Sequence, residues 1–164
     1  MKNKKIREIP ETFEKVIIEN SISDLSFNVM PEKNVREKLS IKEYRCAKDY
    51  VEVEFSREYY TDMINSPSHL VFLSPLIQCQ KLLYVYFCYY KNVEYSPNDE
   101  KFKIWPTGFN IRLPDLVREE ENLVQRFWIN GIKQLPDGNW FAKCETEIGA
   151  IKMTGDAIII PVEE

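Results

Sequence analysis

His69 is the only histidine among 164 residues, and Tyr59, Tyr60 and Gln80 stand within a short stretch on either side of it. An imidazole is the one side chain whose ordinary pKa lets it move protons near neutral pH. With no partner visible in the sequence, it serves equally well as a hydrogen-bonded structural residue. Gln80 sits with Gln78 and Lys81 in the run L-I-Q-C-Q-K-L-L, whose other residues are apolar. Burying an unpaired amide costs about 1–3 kcal/mol, so a buried Gln80 needs a ligand or a water as its partner. Ser74-Pro75 predicts a helix start, with serine as N-cap and proline at the first helical position. The free amides of Leu76 and Ile77 then point at whatever lies in front of the helix, an arrangement that stabilises an anion or a developing oxyanion. Tyr44, Tyr59 and Tyr60 suit the wall of an apolar pocket or the core, wherever their hydroxyls find a partner. Glu58 and Asp62 precede the helix and are the nearby carboxylates able to take a proton.

The elements that must position these groups are readable in outline. P-E-T-F-E-K-V-I-I-E-N-S-I at 10–22 predicts a short amphipathic helix, and P-E-K-N-V-R-E-K-L at 31–39 a second helical piece. In D-Y-V-E-V-E-F-S, Val51, Val53 and Phe55 alternate with Glu52 and Glu54, the pattern of a strand with one wet face. Residues 92–100 are polar and turn-rich. F-K-I-W and G-F-N-I-R-L are short extended pieces, L-V-Q-R-F-W-I-N-G-I-K-Q-L is a long strand, and P-D-G-N is a turn. W-F-A-K-C-E-T-E-I alternates cleanly, and I-K-M-T-G-D-A-I-I-I-P-V closes the chain.

Between the first strand and this meander lies S-P-S-H-L-V-F-L-S-P-L-I-Q-C-Q-K-L-L-Y-V-Y-F-C-Y-Y, residues 66–90. Its helix carries apolar side chains at nearly every angle, with Gln78, Gln80 and Lys81 as a narrow polar strip. A helix of that kind is buried, in lipid or in protein. Two glutamines and a lysine interrupt it too early for a membrane span. The remaining solution is an α+β hot-dog fold, an antiparallel β-sheet wrapped around a long central helix. Residues 41–164 form that domain and residues 1–40 an N-terminal helical extension. Such a sheet leaves edges uncovered, which predicts a homodimer or a higher homo-oligomer.

The block S-H-L-V-F-L-S-P-L-I-Q-C-Q-K-L-L-Y-V-Y-F, with V-E-F-S-R-E-Y-Y before it and M-T-G-D-A-I-I-I-P-V at the end, resembles the FcoT-type acyl thioesterases. The family's Gly-His-Phe segment has Ser68 at its first position here, its later asparagine is Val71, and its helix amide is Gln80. The resemblance implies an acyl thioester, on coenzyme A or an acyl carrier protein, as substrate. It places Tyr60, His69 and Gln80 as catalytic residues, with Tyr44, Tyr59, Leu76 and Ile77 binding the substrate.

Two other classes compete with thioester hydrolysis. A hydroxyacyl thioester dehydratase normally pairs its histidine with an acidic residue on the helix, and none stands between Ser74 and Lys91. A non-catalytic acyl-binding protein needs no such residue. The net charge of −4 argues against a nucleic-acid backbone as partner. No apolar stretch follows Lys2, Lys4, Lys5 and Arg7, so these read as a frayed basic start and not as a signal peptide. Cys46, Cys79, Cys88 and Cys144 lack metal-ligand spacing and read as buried free thiols in a reducing cytoplasm. No metal or cofactor is called for.

Overall fold

The computed structural model describes residues 7–162; Lys2, Lys4 and Lys5 lie outside them. Seven strands and one helix follow in the order β1 (Lys15–Met30), β2 (Lys33–Ala47), β3 (Tyr50–Thr61), α1 (Leu73–Tyr90), β4 (Phe102–Arg112), β5 (Leu123–Gln134), β6 (Trp140–Ile148) and β7 (Ile151–Pro161). They form one antiparallel sheet in the order β1-β2-β3-β5-β6-β7-β4, so β1 and β4 are its edges. The sheet curls into a half-barrel, and its strands make up 55% of the described residues, against 12% for the helix.

This corrects the hot-dog expectation. The chain is a curled seven-stranded sheet with one short helix, not a long central helix wrapped by sheet. The helix is 18 residues long, and Ser74, Pro75, Gln78, Leu82, Leu83, Val85, Tyr86, Phe87 and Cys88 are buried, the last four consecutively and so at nearly every angle of its second half. Ile77, Gln80 and Tyr90 are exposed. Its tyrosines are amphipathic. The Tyr84 hydroxyl donates to the Asp99 carbonyl at 3.0 Å and accepts the Lys101 N–H at 2.9 Å. Tyr89 donates to Glu14. These rings tie the helix to loops and to the N-terminal segment, and Tyr90 packs edge-on against Trp140 at 5.8 Å.

The expected N-terminal helical extension is also absent. Residues 15–30 and 33–47 are long paired strands, and β2 runs unbroken through residue 40. Period two decides the matter in β2, where Val35, Glu37, Leu39 and Ile41 are all buried. A single buried glutamate within that set reads as polar in the sequence and masks the alternation. Ahead of β1, Phe13 stacks on Tyr50 at 6.3 Å and Trp128 donates to the Glu8 carbonyl at 3.0 Å. Arg7 is paired with Glu145 and so is not frayed. This segment lies over the outer face of the sheet, which explains why Glu52, expected on a wet face, is buried beside Arg45 at 2.6 Å.

The main core fills the concave side. Val51, Val53 and Phe55 of β3, Phe127 and Ile129 of β5, Ala142, Cys144 and Ile148 of β6, and Met153, Ala157 and Ile159 of β7 pack there with the inner side of α1. The alternation read for β6 holds, and the turn before it places Gly138 at φ +91°, a conformation that favours glycine.

Candidate functional site

An apolar cavity of about 200 Å³ opens between the first turns of α1 and the inner faces of β4, β6 and β7. Leu76, Ile77 and Gln80 bring α1 to it, and Leu83, Phe127 and Met153 close its inner end. Those three closing residues are buried, whereas Ile77 and Phe109 at the mouth are 50% and 61% exposed. The space exists because its walls are small. Cys79, Cys144, Gly155 and Ala157 stand where larger side chains would fill it. A β-carbon at Gly155 would lie 2.9 Å from the Gly108 carbonyl oxygen, where the register of β4 shifts between Pro106 and Gly108. β4 therefore approaches β7 closely enough to seal that side of the cavity.

Polar groups stand behind this apolar wall in one polarised chain. Thr146 donates to the Arg126 carbonyl at 2.6 Å and accepts from Gln125 Nε2 at 3.1 Å. Gln125 Nε2 also donates to the Pro75 carbonyl at 3.0 Å, and its Oε1 accepts from Gln78 Nε2 at 3.1 Å. Each bond fixes the sense of the next, and the first turns of α1 are thereby pinned to β5 and β6. Gln78 Oε1 is buried and has no hydrogen-bond partner among the described residues. Burial pushes the Cys79 thiol up to about 12 and raises that of Cys144 as well. Both stay protonated at neutral pH and are poor nucleophiles.

The start of α1 is built differently from the expectation. Its N-cap is Phe72, with no side-chain cap bond, and Ser74 lies inside the first turn. The Leu76 N–H is already bonded to the Phe72 carbonyl at 3.3 Å. The buried Glu37 carboxylate accepts the Ser74 hydroxyl at 2.5 Å and the Val71 N–H at 3.2 and 3.3 Å. Arg57 lies 3.8 Å from Glu37, with both side chains fully buried. Its guanidinium also donates to the carbonyls of Glu119 and Arg118 at 2.7 and 2.9 Å, and to Ser68 Oγ at 3.3 Å. Burial raises the Glu37 pKa, an effect that Ser74, Val71 and Arg57 each oppose. A carboxylate of the protein itself thus occupies the anion-favouring end of the helix, and no row of free amides is offered to a ligand there.

The residues expected to form the site separate into three places. Leu76, Ile77 and Gln80 share the apolar cavity, and Gln80 is exposed at its rim; the buried helix amide is Gln78. Tyr59 and Tyr60 line a polar surface groove of about 850 Å³ together with Arg36, Lys38, Asp62 and Ser68. Tyr60 is half exposed, and its hydrogen bond to Glu58 at 2.5 Å raises its pKa. His69 packs against Tyr59 at 5.4 Å and bonds the Pro67 carbonyl through Nδ1 at 2.8 Å; it does not line the cavity. Tyr44 is buried in the core against Tyr95 at 6.3 Å, and desolvation holds its hydroxyl well above the ordinary value.

Sequence reasoning passed over Glu37, Arg57, Gln78, Gln125 and Thr146. Gln125 and Thr146 carried a usable signal, since each occupies an inward position of its strand, where a polar side chain demands a partner. Glu37 gave the same signal once 33–47 is taken as a strand. No known family model matches the chain, and no curated protein matches it.

Proposed function

We propose that this chain is an acyl-binding protein whose cavity beside α1 receives the apolar part of an acyl thioester, the remainder of the ligand lying in solvent. One observation carries this reading. The cavity has an apolar closed end, an exposed apolar mouth at Ile77 and Phe109, and no acidic side chain directed into it from its two acidic wall residues. Glu145 bonds Arg7 and Asn130 on the outer face of the sheet. Asp156 alternates outward between Gly155 and Ala157. Hydrolysis needs a positioned base for its water, and the inward polar groups here are thiols, a threonine hydroxyl and amides. That balance favours binding over the hydrolysis expected from the FcoT-type resemblance. It also leaves the dehydratase reading without a histidine at the cavity.

Calorimetric titration of the full chain with a panel of acyl-coenzyme A thioesters, followed in parallel for release of free thiol, tests the reading. Saturable binding without thiol release supports it. Thiol release with catalytic turnover replaces it with the hydrolase reading, and the absence of binding removes both. The homodimer belongs to the same proposal: β1 and β4 are open edges, and β1 presents Val16, Ile18 and Ile22 to solvent. Among the described residues no helix is long and apolar enough to cross a membrane. All four cysteines are free thiols, which supports a reducing cytoplasmic setting.

A further inference from the structure

We infer that the apolar group taken by this cavity is short, an aromatic ring or an acyl chain of about six to eight carbons, and that long fatty chains are excluded. This rests on the acyl-binding reading and names the ligand class of the same site. A dry cavity of about 150 Å³ lined by aliphatic and aromatic side chains holds one benzene molecule. The 200 Å³ here therefore holds a ring with one or two further carbons. The inner end offers no continuation. Leu83, Phe127 and Met153 belong to the main core and are buried against it, so a longer chain would have to displace packed side chains. The sides are equally fixed. Gly155 pairs with Phe109 of β4 and has no room for a β-carbon beside the Gly108 carbonyl, and Thr146 is locked into the hydrogen-bond chain through Gln125. Length selection is then a property of the walls: small residues at 79, 144, 155 and 157 set the width, and Met153 with Phe127 sets the depth.

Calorimetric titration of the full-length protein with S-butyl-, S-hexyl-, S-benzyl- and S-hexadecyl-coenzyme A, thioethers that no hydrolysis can consume, tests the length limit. S-hexyl and S-benzyl are expected to bind at least tenfold more tightly than S-hexadecyl. Equal binding of S-hexadecyl and S-hexyl overturns the length limit while leaving the acyl-binding reading in place. Binding of no thioether overturns both. Ala157→Val narrows the cavity and is expected to keep S-butyl binding while losing S-hexyl affinity at least fivefold; an unchanged preference for S-hexyl overturns the inference. Should Ala157→Val fail to fold, Met153→Ala deepens the cavity and is expected to extend binding to S-decyl-coenzyme A. Unchanged length selection in Met153→Ala likewise overturns the inference.

Discussion

Replacing Glu37 by alanine removes the group that closes the start of α1, and the cost follows from what is left behind. The carboxylate holds the Ser74 hydroxyl at 2.5 Å and the Val71 N–H at 3.2 Å, and stands 3.8 Å from Arg57, all of them buried. Deleting one partner of a buried ion pair costs about 3–5 kcal/mol, because the other charge remains desolvated. Arg57 keeps two carbonyls and the Ser68 hydroxyl, which moves the expectation to the lower end, about 3 kcal/mol. In a chain of this size that corresponds to a fall of about 6–12 °C in melting temperature. Glu37→Gln keeps an oxygen for Ser74 or Val71 and should lose about half as much.

The pH dependence supplies an independent check. Burial raises the folded-state pKa of Glu37 above its ordinary value of 4.5. The folded state therefore binds this proton more tightly than the unfolded state does. The stability linked to it is fully present below pH 4.5 and is lost as pH rises through the raised value. Glu37→Gln should flatten that part of the stability profile. The assay is thermal and urea unfolding, both followed by tryptophan fluorescence, from about pH 4 to pH 8 for the three proteins. A melting temperature for Glu37→Ala within 2 °C of the parent would refute the reasoning, because it would mean that the cluster is solvated or rearranges freely.

Gln125→Leu severs the polar chain at its centre and leaves the Pro75 carbonyl and Gln78 amide without their partners; a loss of about 2–4 kcal/mol is expected in the same unfolding assay. Gln80→Ala at the exposed rim should change stability by no more than about 0.5 kcal/mol, and a large destabilisation would show that this amide is packed. Phe109→Asp at the cavity mouth should weaken binding of S-hexyl-coenzyme A at least tenfold by calorimetry without lowering the melting temperature. Gly155→Ala drives a β-carbon toward the Gly108 carbonyl and should cost about 1–3 kcal/mol by overpacking.

How much was legible depends on whether neighbouring signals agreed. β3, β5, β6 and β7 were readable because strict alternation ends in turns that need proline or glycine, as at Pro136 to Gly138 and at Gly149. β1 and β2 were not. Asn20 and Glu32 adopt positive φ, and the β1–β2 register shifts between Ile18 and Ser21, which breaks period two just where a helix was read. Ser74-Pro75 located the start of α1 to within two residues: Phe72 is the N-cap and Leu73 opens the helix, while the Ser74 hydroxyl turns to Glu37 of β2 instead of capping. Of the candidate site, Leu76, Ile77 and Gln80 came together, while Tyr44 went to the core, Tyr59 and Tyr60 to a polar groove, and His69 against Tyr59.

By itself the sequence determined a helix with a largely apolar surface, running from Ser74-Pro75 to Tyr89 or Tyr90, and a second half of the chain that pairs as antiparallel strands. Both follow from spacing and turn chemistry, which are local. Only the tertiary structure decided which residues of that helix are covered, which of two glutamines is buried, and that Glu37 reaches across from β2 to close the helix start. Those outcomes depend on how far the sheet curls and on which strand lies opposite each turn of α1. Such pairings join residues distant in the chain, and no local periodicity encodes them.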